Sequence, residues 1–204
     1  MRTPSARRAN FSRRASAPPR LAVVVGCGPS LSHGFTVPRG ATIIACNRAI
    51  EFMPAHHWVW VDRCHYERSK WHENAKCSVH VAPVEALAYS RPGWAYRVAR
   101  ELPCGDDELF LSGGTLTVAA HYAVRLQARQ VVFIACNAWG GRDRYHAWDA
   151  LPLPAVDLAA HREHLAQTAA GILRLAETYK HVEFRDATIG ERHLPVPPVN
   201  VREA

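Results

Sequence analysis

Several familiar signatures are missing from these 204 residues. No apolar run approaches the roughly 18 residues that a membrane-spanning helix requires. No Cys-x-x-Cys pair occurs among the six cysteines, which argues against a zinc ribbon or a redox dithiol. No Gly-Lys-Ser/Thr closes a phosphate loop, and no HExxH marks a zinc hydrolase. No Asp-x-Asp appears either, which points away from metal-dependent sugar transfer. Acidic residues are absent from residues 1–20, where six arginines stand. Subtracting those six from the net charge of +7 leaves about +1 for the rest of the chain. The basicity therefore belongs to the start of the sequence and not to its body.

That start, rich in Arg, Ser, Ala and Pro, has no hydrophobic period and reads as a disordered basic tail. It lacks the apolar stretch of a secretory signal. An unstructured start with no role, an organelle transit peptide, a nucleic-acid contact and a membrane-surface contact are the readings it offers. Cys27, Cys46 and Cys136 sit in or beside apolar strands. Reduced, mostly buried thiols in a cytoplasmic protein are the simplest account of them.

What is present alternates. Continuous apolar runs predict strands at Leu21–Val25, Thr42–Cys46, Trp58–Val61, Ser78–Val81, Leu109–Leu111, Val131–Ala135 and His181–Phe184. Helical spacing covers Thr115–Gln127, with Leu116, Ala119, Ala120, Ala123 and Leu126 on one face. It covers Leu158–Tyr179 as well, with His161, Leu165, Ala169, Ile172 and Leu175 aligned. Strands alternating with helices predict an α/β, Rossmann-like single domain over residues 21–204, with a largely parallel sheet between helices. The Pro-rich end, "HLPVPPVNVREA", predicts extended chain.

In open α/β sheets ligands bind beyond the carboxyl ends of the strands, so the loops there carry the functional reading. After the first strand come Gly26, Cys27, Gly28, Pro29 and Ser30, where glycines admit close backbone approach and Ser30 offers a cap. A plain turn is the alternative. Asn47 and Arg48 follow the second strand, an amide for a base or ribose edge and a cation for phosphate. Asp62 follows the third. Ser112, Gly113, Gly114 and Thr115 open the alanine-rich helix, whose N-terminal amides suit an anion. "CNAWGGRDRYHAWD" then supplies Asn137, Trp139, Arg144, Tyr145 and His146 as a loop able to cover a ligand. His161 and His164 lie three apart and share a helix face. His56 and His57 read as packing or surface groups.

Taken in order, "VVVGCGPSL", "IIACNRA", "LSGGTLTVAAHYAVRLQARQVVFIACN", "RYHAWD" and "HREHLAQTAAGILRLAETYKHVEF" resemble the bacterial sialyltransferases that use cytidine-monophosphate sialic acid (glycosyltransferase family 42). They are similar also to the wider clan that includes archaeal 6-hydroxymethylpterin pyrophosphokinase-like proteins. The resemblance spans residues 21–185 and implies a nucleotide bound across the strand ends. It places Gly26–Leu31, Asn47 and Ser112–Gly114 on that nucleotide. Cys27 stands where the family has an asparagine that contacts donor phosphate. Phosphate-binding tyrosines fall near Trp139 and Tyr145, and only Tyr145 keeps the type. The catalytic histidine of the family aligns at Glu163, between His161 and His164.

The resemblance implies a metal-independent glycosyltransferase that takes a nucleotide sugar as substrate, with no tightly bound cofactor. A histidine would be the base, and Tyr145, Arg48 and the amides of Gly113–Thr115 would steady the departing phosphate. The acceptor is a glycan, a small molecule or a hydroxymethylated base in DNA, the last possible for a phage-type enzyme. In that case the tail would hold DNA, and Trp94, Trp139 or Trp148 would stack on a base. Two alternatives stand beside this one. The first is magnesium-dependent pyrophosphoryl transfer to a pterin-like molecule, using Asp62, Asp143 and Asp149. The second is a nucleotide- or nucleic-acid-binding protein without catalysis.

Overall fold

The apolar runs do form strands, and a computed structural model of the chain describes residues 20–33, 35–62, 79–88, 92–136, 155–190, 192 and 194–199. The strands are β1 (Leu21–Val25), β2 (Thr42–Cys46), β3 (His57–Val59), β4 (Val79–Pro83), β5 (Trp94–Ala99), β6 (Glu108–Phe110), β7 (Gln130–Ile134) and β8 (Glu183–Asp186). They build one sheet in the order β6-β5-β4-β3-β2-β1-β7-β8. Every neighbouring pair is parallel. Among the described residues the α-helices are α1 (Thr115–Arg125) and α2 (Ala155–Thr178). This is the α/β, Rossmann-like architecture expected from the sequence.

The order of the strands matters for function. From β1 the chain steps outward through β2 to β6, and α1 then carries it back to β7, on the other side of β1. The winding direction therefore reverses beside β1, which opens a crevice at the carboxyl ends of β1 and β7.

Successive side chains on a strand face opposite sides, so each strand feeds two cores. Ala22 and Val24 point to one, with Val118, Ala119 and Ala123 of α1 and Ile172 and Leu175 of α2. Val23 and Val25 point to the other, with Leu31, Ala49, Ile50 and Ala86 from short 3-10 helices. These 3-10 helices are Pro29–His33, Asn47–Glu51 and Val84–Ala88. Sequence periodicity does not reveal them, because five residues hold too little of a period.

α1 departs from a one-faced helix. Ala119, Ala120 and Ala123 are buried as expected, while Leu116 and Leu126 are only partly so. Thr117, His121 and Tyr122 are buried too, because α1 packs against the sheet and against α2 at once. His121 is fully buried without charge. The Phe110 N–H donates to its Nδ1 (2.9 Å), and Nε2 meets the Tyr179 hydroxyl (2.9 Å).

β5 is the strand that continuous apolar patterning passes over. Exposed Arg97 interrupts it beside fully buried Tyr96. β8 begins two residues later than expected, since the Val182 N–H still donates to the Tyr179 carbonyl (2.8 Å) as the chain turns off α2. β3 begins at His57, whose Nδ1 lies 3.1 Å from the Tyr122 hydroxyl, a packing role. Near the C-terminus the extended chain lies along β8. The Asp186 N–H donates to the Pro197 carbonyl (2.9 Å) and the Val199 N–H to the Asp186 carbonyl (3.0 Å).

Candidate functional site

The ends of β2, β1 and β7, neighbours in the sheet, line the crevice, and the chain leaves β2 and β7 through residues of positive φ. At the end of β1, the Gly26 N–H donates to the Ile134 carbonyl (2.9 Å) and the Gly28 N–H to the Ala135 carbonyl (2.8 Å). A β-carbon on Gly26 would stand 2.5 Å from the Ala135 oxygen. Ala135 itself, at the end of β7, has φ +53, a left-handed conformation that aims its carbonyl across at β1. The first two amides of the glycine pair thus bind protein, not a ligand. Pro29 and Ser30 open the following 3-10 helix, and Ser30 is buried.

Cys27 is tied to the end of β2. Its thiol donates to the Cys46 carbonyl (3.1 Å). Burial pushes this thiol up to about 12, although the nearby amides of Ala49 and Arg48 favour the thiolate. Cys46 and Cys136 are buried, and burial raises both as well. Cys27, Cys46, Cys104 and Cys136 are free thiols. Of these four, Cys46 and Cys136 are buried and Cys27 and Cys104 are half-buried.

At the end of β2, Asn47 has φ +48, which asparagine tolerates better than most residues. It is fastened twice. Its backbone carbonyl accepts from Trp58 Nε1 (2.6 Å), and its side-chain Oδ1 accepts from the Thr115 hydroxyl (3.0 Å). Arg48, expected on phosphate, instead forms a two-pronged pair with Glu51, Nε to Oε1 and Nη2 to Oε2, both 2.8 Å. Both partners are largely buried, at 21% and 10% side-chain exposure. Asp62 lies past β3 at an exposed bend, and its charge reaches Tyr96.

At the end of β6, the small residues serve the docking of α2. The Ser112 N–H donates to Thr117 Oγ1 (3.0 Å) and its hydroxyl to the Gln167 carbonyl (2.9 Å), so both Ser112 donors are committed. Gly113 has φ +77, and a β-carbon there would run into the Thr168 hydroxyl and backbone nitrogen. Gly114 caps α1 in extended conformation with no side-chain cap. The Thr117 N–H turns back to the Gly114 carbonyl (3.1 Å), and among the described residues nothing accepts from the Thr115 and Leu116 amides, which leaves the positive end of α1 to a ligand. A β-carbon on Gly114 would stand 2.9 Å from His164 Nε2.

The structure thus gathers one set of the expected residues and leaves another apart. Asn47 meets residue 115 and His164 meets residue 114, so a donor amide, a helix N-terminus and an imidazole converge. Trp94 belongs to packing, with its ring 5.0 Å from that of Tyr122. Asn137, Trp139, Asp143, Tyr145, Trp148 and Asp149 lie outside the described residues, as does the side chain of His161. Among the described residues, no group of three or more His, Cys, Asp or Glu gathers to hold a metal ion. No helix among them is long and apolar enough to cross a membrane. Ala135, Thr168 and Gly171 were not legible as site residues. Gly171 admits α2 because a β-carbon there would stand 2.7 Å from Ser112 Cβ.

No protein-family model matches the sequence, and no curated protein matches it. Solved structures do match the fold. The MAf glycosyltransferase from Magnetospirillum magneticum AMB-1 superposes over 94% of this chain at TM-score 0.61 and 15% identity. This chain spans only 35% of that one. The sialyltransferase CstII from Campylobacter jejuni, in complex with cytidine-5'-monophosphate, superposes over 90% of this chain and 87% of its own, at TM-score 0.55 and 11% identity. The monofunctional alpha-2,3-sialyltransferase Cst-I from Campylobacter jejuni covers 94% and 85%, at TM-score 0.54 and 10% identity. The chain therefore has a glycosyltransferase-like fold.

Proposed function

We propose that this chain is a transferase that moves a sugar from a nucleotide donor bound over the ends of β1 and β2 and the start of α1. The observation that carries the reading is the meeting of His164, Gly114 and the open N-terminus of α1, with Asn47 held one residue away. A fold of the glycosyltransferase kind supports it, and the sialyltransferase bound to a cytidine nucleotide supports the donor class.

In the proposed reaction His164 takes the proton from the acceptor hydroxyl. His161, one turn earlier, is the alternative base. The freed oxygen bonds to the anomeric carbon as the bond from that carbon to the phosphate oxygen breaks. The electron pair leaves with the nucleotide, where the first-turn amides of α1, and Tyr145 from the segment after β7, stabilise the charge. Arg48 joins them only by giving up Glu51. No metal takes part in this scheme. The acceptor is a glycan or a hydroxymethylated base in DNA, with the basic tail of residues 1–20 as the DNA contact. The enzyme would act in the cytoplasm.

Thermal shift against CMP, UDP, GDP, ADP and ATP, with and without magnesium, tests this. A magnesium-independent rise with one nucleotide is expected. A shift only with ATP and magnesium overturns it in favour of pyrophosphoryl transfer, and binding without any sugar transfer leaves a nucleotide-binding protein.

A further inference from the structure

Read from sequence, Asn47 offers a ligand both an acceptor and a donor. The structure turns its oxygen to Thr115 and leaves both of its N–H groups unspent. Its Oδ1 already accepts the Thr115 hydroxyl at 3.0 Å, and Thr115 is 6% exposed. The backbone of Asn47 cannot drift to relieve this, because Trp58 Nε1 holds its carbonyl at 2.6 Å in a left-handed turn. Among the described residues no group accepts from the Asn47 amide hydrogens, and the side chain is half-buried, not sealed. Two N–H bonds are thus held, oriented and unspent, beside the uncapped start of α1.

We propose that Thr115 is a positioning residue that turns Asn47 into a fixed double donor, so that this part of the site selects acceptor-rich ligand groups such as phosphate or ring-carbonyl oxygens. This rests on the nucleotide reading above. The Thr115 hydroxyl does not itself touch the ligand. Its hydroxyl fills the one face of the amide that would otherwise turn to welcome a donor. The first-turn amides of α1 lie next to it and add donors of the same kind. The local chemistry therefore favours one sign of hydrogen bond throughout. A donor-rich edge, such as an exocyclic amine, meets N–H facing N–H and is rejected.

The test is a double-mutant cycle read by titration calorimetry on the full chain. The titrant is whichever of CMP, UDP, GDP, ADP or ATP stabilises the wild type most. Thr115→Val keeps the shape of the side chain and removes the hydroxyl. It should weaken binding about five- to tenfold, the worth of one hydrogen bond. Thr115→Ser should restore binding to within about twofold of wild type. Asn47→Asp keeps an acceptor for Thr115 and removes both donors, so it should weaken binding at least as much. In that background Thr115→Val should cost nothing further, because its whole effect passes through the amide. Wild-type binding in Thr115→Val overturns the positioning role. So does a full additional loss on top of Asn47→Asp, the outcome a merely structural threonine gives. Should Thr115→Val fail to fold, Thr115→Ala takes its place in the cycle. If no nucleotide binds the wild type, the nucleotide reading itself has failed before any variant is made, and the inference falls with it.

Discussion

The glycine pairs after β1 and after β6 look alike in the sequence and do different work in the structure. Gly26-Cys27-Gly28 and Ser112-Gly113-Gly114 are both small-residue junctions between a strand and a helix. At the first, the glycine admits the Ala135 carbonyl, and the junction is a seam inside the sheet. At the second, Gly113 admits the backbone of α2, while Gly114 admits only the tip of an imidazole. One junction fixes the fold, and half of the other makes room for the His164 ring. A glycine-rich turn after a strand therefore says that something comes close, without saying whether it is chain or ligand.

Substitutions can break this comparison, and Gly113→Val should do the most damage. It places a β-branched side chain at φ +77 against the Thr168 backbone, and we expect a loss of about 3 kcal/mol or more in denaturant unfolding. Gly26→Ala comes next. Its β-carbon, 2.5 Å from a backbone oxygen, should cost about 2 kcal/mol by parting β1 from β7. Gly114→Ala should be different in kind. Its backbone is extended, so alanine is unstrained, and the near atom ends a movable side chain. We expect under about 1 kcal/mol of lost stability. Sugar transfer should fall at least tenfold, because the His164 ring is displaced. If Gly114→Ala keeps full activity, or if Gly26→Ala leaves stability untouched, the contrast between the junctions is wrong.

The last expected effect concerns pH, away from the crevice. Burial lowers His121 from 6.5 to about 4, with the nearby Arg125 charge adding to it. The unfolded chain thus binds more protons than the folded one between these values. Stability from this group is full above pH 6.5 and is lost as pH falls towards 4. Melting temperature should decline across that window, and the slope should be shallower in His121→Asn. An equal slope in the variant would assign the acid sensitivity to other groups.

Much of the fold was legible because its strands are continuous apolar runs, and the described helices α1 and α2 carry clear periods. β5 escaped because Arg97 breaks its run at an exposed position. The 3-10 helices escaped because their burial is a property of the other sheet face, not of a local pattern. Within the site, the sequence placed Asn47, Gly113, Gly114 and the histidine pair at strand ends or on one helix face. It could not place His164 against Gly114, since those residues meet only when α2 docks. Nor could it show that Glu51, three residues on, occupies Arg48. The left-handed turn at Ala135 left no trace at all, because alanine carries no sign of φ +53. The likeness to sialyltransferases was read from short motifs in order, and the shared fold agrees with it.

The central claim is that a nucleotide sits over Asn47 and the start of α1. Chemical-shift mapping on nitrogen-15-labelled protein, titrated with the same nucleotides, tests it most directly. The account predicts that the Asn47 side-chain amide and the backbone amides of Thr115 and Leu116 move first, before any amide near Cys104 and His121. Shifts that cluster around Cys104 and His121 instead, or no shifts with any of the five nucleotides, would contradict it.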